Sequence, residues 1–189
     1  PKTGAILARF LAGHRDWRRT VAFRPDGNRM GSGGEGGDIR LWDLTTGKRL
    51  QRIPSTQGWG RGVGYSPYGM LLASGGDDAL VNIWSVESLE LLQRLGPFGR
   101  TINKLMFTYD GTSICIAMQG QVEVLNMRDN KRVYRRVVRG ERTSVLTLPD
   151  GGLLIASKEG LQRIELDNPE AVVQFVGHKS DVWGMTLDP

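Results

Sequence analysis

Cysteine and histidine are scarce in this 189-residue sequence, which has one cysteine, Cys115, and two histidines, His14 and His178. A single cysteine excludes an internal disulfide, and so few thiol and imidazole groups predict neither a metal site nor a bound cofactor. The sequence also lacks a signal peptide, an Asn-x-Ser/Thr sequon and any run of 18 apolar residues. These absences predict a protein without a membrane segment in a reducing compartment, and we expect a cytoplasmic location.

Helical periodicity is also missing, and the chain repeats instead. The turn segment Phe23 to Gly27 recurs 42 residues later as Tyr65 to Gly69, and after another 42 as Phe107 to Gly111. A fourth copy, Thr147 to Gly151, follows after 40 residues. Repeats of this period are supersecondary units, each of which buries its apolar face only against the next unit.

Each repeat reads as four short strands. In the first copy, residues 20–23, 29–34, 38–42 and 49–53 are apolar or alternate in polarity, and they are separated by turn sequences such as Pro25-Asp26-Gly27. One strand for every ten or so residues is typical of folds built from β-hairpins. The sequence therefore predicts the all-β fold class.

The repeats resemble WD40 repeats, the four-stranded blades of a β-propeller. Leu41-Trp42-Asp43 stands in the place of the family's Trp-Asp pair, and Gly13-His14 and Gly177-His178 stand in the place of its Gly-His pair. Trp84 lies 42 residues after Trp42, whereas the third and fourth copies have Leu125 and Ile164 in that place. The resemblance implies a WD40 β-propeller.

The positions of the predicted strands define the bounds of the blades along the whole chain. We expect complete blades at residues 17–53, 59–95, 101–137 and 143–175, the last strand of a preceding blade at 5–10, and the first strand of a following blade at 182–187. The two single strands do not complete a closing blade. We therefore expect an open arc that is part of a longer propeller, with the remaining blades outside this segment.

The resemblance also implies a set of residues that stabilise each blade through hydrogen bonds. In WD40 blades a hydrogen-bond relay runs from His through Ser or Thr and Asp to the Trp indole, because a buried indole N–H needs a partner. Gly36 stands in the Asp place of the first copy, and Thr56 stands near the His place of the second. The residues assigned this structural role are His14, Ser32, Trp42, Asp43, Ser74, Asp78, Trp84 and His178.

The positive charge is local. From Arg128 to Arg142 there are seven basic and two acidic residues, and this excess equals the net charge of +5 of the whole chain. We place this stretch, the basic rim, on the outermost strand of the third blade and the following loop. It is either an exposed edge strand kept from pairing by charge, or a surface for anions or nucleic acid. Tyr134 is its only aromatic residue for base stacking, which argues against nucleic acid.

The sequence contains few motifs that indicate catalysis or nucleotide binding. Gly31 to Gly36 satisfies the G-x-G-x-x-G pattern of dinucleotide sites, but that site requires a following helix, and here a strand ending in Trp42 follows. We expect these glycines to adopt positive φ in a tight hairpin. The sequence has no nucleophile elbow and no zinc-protease motif. An enzyme stays open as an alternative, because propellers as a class also host hydrolases and lyases.

Trp17 and Trp59 lie 42 residues apart, at the entrance to the first strand of successive blades. In WD40 proteins this position, the residue two further on and the residue before the hairpin Asp face the narrow top surface that binds partners. The residues carried over to that surface are Trp17, Arg19, Glu35, Trp59, Arg61, Asp77, Asn103 and Trp183, with Thr101 at the entrance position of the third copy. The alternative is that Trp17 and Trp59 pack against a neighbouring blade.

The resemblance implies a non-catalytic scaffold for protein–protein interactions that binds a protein partner on this top face. Clusters of exposed Trp and Arg at one face are typical of interaction hot spots. Two alternatives remain at this point. One is anion or nucleic-acid binding through the basic rim, and the other is a propeller enzyme.

Overall fold

The fold is described from a computed structural model of the chain, and the description covers residues 18–175, 177, 182, 185 and 186. His14, Trp17, His178 and Trp183 lie outside the described residues, as does the strand expected at 5–10 and half of the one expected at 182–187. Of Arg19 only the backbone, which belongs to the first strand, is described.

The described residues form sixteen strands, numbered in chain order. The first eight are β1 (Arg18–Phe23), β2 (Arg29–Gly34), β3 (Asp38–Asp43), β4 (Arg49–Pro54), β5 (Gly60–Tyr65), β6 (Leu71–Gly76), β7 (Val81–Ser85) and β8 (Leu91–Leu95). The other eight are β9 (Ile102–Phe107), β10 (Ser113–Met118), β11 (Gln121–Asn126), β12 (Arg132–Val137), β13 (Ser144–Thr147), β14 (Leu153–Ser157), β15 (Gly160–Ile164) and β16 (Val172–Phe175).

Each consecutive group of four strands is one antiparallel sheet, in the order β1-β2-β3-β4 and likewise for the other three groups. Within each sheet every connection is a hairpin between neighbouring strands, so each sheet is a simple meander. The expectation of an all-β fold of four-stranded units is therefore confirmed. No helix occurs within the described ranges.

Consecutive sheets pack face to face through three apolar clusters. The first joins sheets one and two around Ile39, Leu72 and Trp84. The second joins sheets two and three through residues such as Ile83 and Ile116, and the third joins sheets three and four. The first strands of successive sheets, β1, β5, β9 and β13, lie side by side. The fourth strands are mostly exposed, which places them at the outer edge.

Glycines in the strands allow this close packing, and here the sequence prediction was wrong. Gly31 and Gly33 lie within β2 and do not have positive φ; the positive φ of that hairpin belongs to Gly37, at +69°. A Cβ on Gly33 would lie 3.0 Å from Thr20 Cγ2 and 3.1 Å from the Gly60 carbonyl oxygen. The glycines in β2 therefore serve the contact with the next sheet, since a larger residue would push the strands apart.

The two repeated tryptophans, Trp42 and Trp84, have the same surroundings in the first and second sheets. The indole N–H of Trp42 donates to Ser32 Oγ at 2.9 Å, and that of Trp84 donates to Ser74 Oγ at 2.8 Å. Both indoles are buried, with 3% and 8% of their surface exposed. Each buried indole N–H thus has the acceptor that its removal from water requires.

The second-sheet relay differs from the one that the resemblance implies. Ser55, rather than Thr56, contacts Ser74, with 2.6 Å between the two hydroxyl oxygens. Asp78 accepts from the backbone N–H groups of Gln57 and Leu80, at 3.1 and 3.2 Å, and so braces the loop before β5. The relay therefore runs from Trp84 through Ser74 to Ser55.

Asp43, the residue after Trp42, organises the turn between β3 and β4. Its Oδ1 accepts from the Thr45 hydroxyl at 2.6 Å and from the backbone N–H groups of Thr45 and Thr46 at 2.8 Å. The Thr45 hydroxyl, followed by the Thr46 backbone N–H, lowers the pKa of this exposed carboxyl to about 2. Asp43 therefore stabilises a turn and lies apart from the tryptophan contacts.

Truncation of Trp84 tests the packing of the first two sheets. Trp84→Ala should lower the free energy of unfolding by ~3–5 kcal/mol, because it removes a large buried side chain from the apolar cluster between the sheets. The matched control is Trp59→Ala, at a tryptophan that is 36% exposed, for which we expect a much smaller loss. Chemical denaturation measures both. Equal denaturation midpoints for the two variants would contradict the assignment of Trp84 to the core.

Candidate interaction face and cationic cavity

Sheet geometry brings two separate segments together at one end of the second sheet. Gly60 at the start of β5 pairs with Gly76 at the end of β6, so Trp59 and Asp77 are neighbours. The backbone N–H of Asp77 donates to the Trp59 carbonyl at 3.2 Å, and that of Trp59 donates to Asp77 Oδ2 at 3.2 Å. A Cβ at position 76 would collide with the Trp59 carbonyl, so this approach requires a glycine there.

Arg61 completes the arrangement, and we call Trp59, Arg61 and Asp77 the Trp59 cluster. Arg61 Nε donates to Asp77 Oδ1 at 2.6 Å, and its guanidinium carbon lies 4.9 Å from the centroid of the Trp59 ring. The side chains of Arg61 and Asp77 are 28% and 31% exposed. Contacts this exposed add little to stability, about 1 kcal/mol or less each. Their main effect is to hold an aromatic ring and a cation in fixed positions at the surface.

A second feature, the cationic cavity, lies beside this cluster and shares Arg61 with it. It has a volume of about 170 Å³. Its described lining residues come from β5, β9, β13, the loop before β13 and one residue further along the chain; they are Arg61, Asn103, Lys104, Arg142, Thr143, Ser144 and Val182. Three of these are cations and none is a carboxylate. Of the three cations, Arg61 is also paired with Asp77.

Lys104 is half-buried in this cavity. Burial lowers the pKa of its ammonium group below the ordinary value of 10.5, because desolvation disfavours the charged form. Within the described ranges no hydrogen bond or ion pair involves its side chain. Its positive charge therefore lies in a partly desolvated site without a described counter-ion.

Two hydroxyl groups that line the cavity also lack a described partner. Thr143 and Ser144 are 3% and 5% exposed, and their side-chain oxygens have no hydrogen-bond partner among the described residues. Asn103 Nδ2 donates to the Glu141 carbonyl at 3.0 Å and thereby fixes the loop that carries Arg142 and Thr143. Asn103 thus holds the wall of the cavity in place, while the hydroxyls of Thr143 and Ser144 have no described hydrogen-bond partner.

The structure thus brings together Trp59, Arg61, Asp77 and Asn103 of the predicted top-face residues. Glu35 lies in the turn between β2 and β3, at the corresponding end of the first sheet. Trp17 and Trp183 are not described, and for Arg19 the position of the side chain is not described. Sequence reasoning missed Lys104, Thr143 and Ser144, since they occupy ordinary strand and loop positions and only the packing of β9 against β5 and β13 brings them to one cavity.

The basic side chains of the basic rim are less available to an external anion than its composition suggests. Arg132 and Arg135 lie 3.3 and 3.7 Å from the carboxylate of Glu123, which is buried in the neighbouring strand β11. Lys131 and Arg139 also have carboxylates within 4 Å, Asp129 and Glu159 respectively. Arg142 lies in the loop after this strand, as expected, and lines the cationic cavity. The charge excess is consequently divided between a partly neutralised edge and the cavity.

Cys115 and the acidic side chains are the remaining groups that could carry chemistry. Cys115 is fully buried in β10, and burial raises the pKa of its thiol to about 12. Within the described ranges no group of three or more His, Cys, Asp or Glu side chains could hold a metal ion. None of the described residues forms a helix long and apolar enough to span a membrane.

Comparison with known proteins agrees with this architecture. The family model "WD domain, G-beta repeat" matches residues 6–43 and 61–85. Those residues contribute strands to the first two sheets, and the third and fourth sheets repeat the same four-stranded order. The fold therefore defines a β-propeller built from repeated blades. Its first two sheets carry the sequence of WD40 repeats.

Individual relatives match a short part of the chain. The small ribosomal subunit protein RACK1 of Glycine max is 49% identical over 51 residues, which are 27% of this chain and 16% of that protein. A guanine nucleotide-binding protein subunit beta of Nicotiana tabacum is 51% identical over 43 residues, 23% of this chain and 12% of that protein. The human THO complex subunit 6 is 47% identical over 52 residues, 28% and 15% of the respective chains. The matches thus span about a sixth or less of each relative.

Substitution of Lys104 tests the described environment of its side chain without any ligand or partner. Lys104→Met should raise the free energy of unfolding at pH 7, because the methionine keeps most of the apolar stem and removes a partly desolvated charge. The gain should shrink as the pH rises through the lowered folded-state pKa towards 10.5, since the lysine is then neutral in both states. Denaturation curves from pH 7 to 10.5 measure this. A loss of stability at pH 7 would contradict the described environment of Lys104.

Proposed function

We propose that this chain is a non-catalytic protein-interaction scaffold that binds a protein partner through the face carrying the Trp59 cluster. The single observation that carries the proposal is the exposed Trp59 ring, held at 4.9 Å by Arg61, whose guanidinium is itself fixed by Asp77 at 2.6 Å. Trp17, Arg19, Glu35, Asn103 and Trp183 are proposed to extend this face.

The chemistry of the cluster suits a protein partner. Tryptophan and arginine are the residues most enriched among interface hot spots. Trp59 and Arg61 already constrain each other in the free chain, so less side-chain freedom is lost when a partner binds. A face of this kind gains affinity mainly from one well-placed aromatic group and one bidentate donor, which a small area can provide.

The names of the relatives support the same class of function. They describe a protein of the small ribosomal subunit, a subunit of a guanine nucleotide-binding protein and a subunit of the THO complex. Each is thus a component of a larger assembly. Repeats similar to theirs favour binding to macromolecules for this chain too. The identity of its partner, like its cytoplasmic location, stays a prediction.

A second element of the proposal concerns the first sheet. Val21 and Phe23 alternate along β1 and are 55% and 61% exposed. Both side chains belong to one face of the strand, because residues two apart share a face. In sheets two to four the apolar positions of the first strand lie against a neighbouring sheet. We expect a further blade of the same propeller to cover Val21 and Phe23.

Anion binding at the basic rim is the less favoured alternative. Arg132 and Arg135 already share the buried carboxylate of Glu123, and these contacts would compete with an external phosphate. Such binding would also weaken steeply with rising salt, because phosphate contacts release counter-ions. A contact centred on Trp59 should change little with salt.

The test compares variants at opposite ends of the second sheet. Once a partner has been isolated with the wild-type chain, Trp59→Ala should weaken the complex by ~2 kcal/mol or more, because it removes the aromatic anchor. This corresponds to about a thirtyfold rise in Kd, measurable by calorimetry. The matched control is Tyr68→Ala, an exposed aromatic in the turn between β5 and β6, at the other end of the sheet.

Arg135→Glu provides the comparison with the basic rim. We expect Tyr68→Ala and Arg135→Glu to bind the partner as the wild type does. If Arg135→Glu abolishes binding while Trp59→Ala leaves it unchanged, the face proposal is wrong and the electrostatic alternative replaces it.

A further inference from the structure

A groove between the third and fourth sheets lies at the end of the sheets opposite to the Trp59 cluster. It is formed by residues 108–113, at the turn between β9 and β10, and by residues 149–151 and 165–167 of the fourth sheet, and its volume is about 470 Å³. Ligand sites usually have volumes of roughly 300–1,000 Å³, and one water molecule occupies only about 30 Å³. This groove, which we call the acidic groove, therefore has room for a whole side chain of another molecule.

The lining of the acidic groove contains carboxylates and no cation. The four carboxylates are those of Asp110, Asp150, Glu165 and Asp167. Arg163, which is not part of the lining, pairs with Asp150 and with Glu165, at 2.7 Å in each case. Within the described ranges no cation pairs with Asp110 or Asp167. Four carboxylates against one arginine leave three negative charges in excess at this place, although the whole chain has a net charge of +5.

The carboxylate of Asp110 is held in place and can still accept a hydrogen bond. Its Oδ1 accepts from the Thr108 hydroxyl at 2.6 Å and from the Thr112 backbone N–H at 3.0 Å, whereas Oδ2 accepts only from the Thr112 hydroxyl, at 2.7 Å. The hydrogen bond from Thr108 is the main cause that lowers the pKa of Asp110 below 3.8, so this group is ionised at neutral pH. Because a carboxylate has about four acceptor positions, Oδ2 has one left for a ligand.

The hydroxyl of Ser113 is a second, independent observation. Its side chain shares a face of β10 with Cys115, since residues two apart lie on the same face of a strand, and this face packs against the fourth sheet. Ser113 lines the groove and is only 7% exposed, and its hydroxyl has no hydrogen-bond partner among the described residues. Unlike the hydroxyl oxygens of Thr143 and Ser144, its oxygen is not fully enclosed. Native proteins seldom leave such a group without a partner, and a ligand in the groove would supply one.

The remaining walls of the groove are apolar. Tyr109, which is 50% exposed, lines it together with Pro149 and Leu166. Lysine and arginine side chains combine an apolar stem with a cationic end, and a cation is also attracted to an aromatic ring. A metal ion would use none of the apolar wall, and no group of three or more metal-binding side chains occurs in the part of the chain that the structure describes. The groove thus matches a basic side chain in both its charge and its apolar surface.

We propose that the acidic groove binds a lysine or arginine side chain of a basic protein segment, with the cation among the four carboxylates and the stem against the apolar walls. This contact goes beyond the proposed function and does not depend on it, because the groove and the Trp59 cluster lie at opposite ends of the sheets. The chain then has two binding surfaces of different chemistry, one centred on a tryptophan and one on carboxylates.

The experiment uses single amino-acid derivatives, so that it does not depend on a known partner. N-acetyl-lysine amide, N-acetyl-arginine amide and N-acetyl-norleucine amide are titrated separately into the chain at pH 7 and constant ionic strength. Binding is followed by NMR chemical shifts of residues 108–113, 149–151 and 165–167. We expect weak, saturable binding of at least one basic compound and no saturation with norleucine, which keeps an apolar stem but lacks the charge.

Asp167→Asn should weaken this binding by about twofold to fivefold, because it removes one exposed carboxylate that has no described contact of its own. Ser113→Ala should also weaken it while leaving every charge in place, which distinguishes a built site from general attraction to negative charge. The matched control is Glu90→Gln, which removes one carboxylate from the exposed turn between β7 and β8 of the second sheet. It should bind the basic compounds as the wild type does.

The proposal is overturned if neither basic compound saturates, if norleucine binds as tightly as they do, or if Glu90→Gln weakens binding as much as Asp167→Asn does. None of these results bears on the Trp59 cluster. A loss of partner binding in Trp59→Ala would still support the interaction face, so the two proposals fail separately.

Discussion

Burial between successive sheets is the constraint on which this structure depends. No four-stranded meander here has an interior of its own, and each of the three apolar clusters takes its residues from two neighbouring sheets. The close approach of successive sheets requires small residues in the strands, as at Gly33 and Gly64, where an added Cβ would lie 3.1 and 2.8 Å from a carbonyl oxygen of the next sheet. The repeat length, the glycines within strands and the buried tryptophans all follow from this one requirement.

The same packing creates the candidate site. Because the first strands of the sheets lie side by side, their entrances gather at one end, together with the turns that follow the second strands. Arg61 of β5 is thereby placed between Trp59 of its own sheet and Lys104 of the next. Function at this end therefore depends on residues from adjacent blades, and neither blade alone provides both the aromatic ring and the second cation.

Much of the fold could be predicted because its signals are local. Turn residues at a fixed period and alternating strands predicted four four-stranded sheets, and Trp42 and Trp84 repeat at the same spacing. The site was only partly predictable. Trp59, Arg61 and Asp77 share repeat positions, whereas the cavity depends on side-chain burial at Lys104, Thr143 and Ser144, which no spacing reveals. Ser55 and Gly33 show a similar limit, since the sequence pattern identified a relay and a glycine cluster but not which atoms meet.

The central claim, that partners bind at the end of the sheets carrying the Trp59 cluster, is tested most directly by hydrogen–deuterium exchange of the chain alone and in complex with its partner. The account predicts slower exchange at residues 56–61, 77–80 and 141–144 in the complex, with unchanged exchange at the opposite turns, 66–70 and 108–112. Protection confined to residues 128–139, or to those opposite turns, would contradict it.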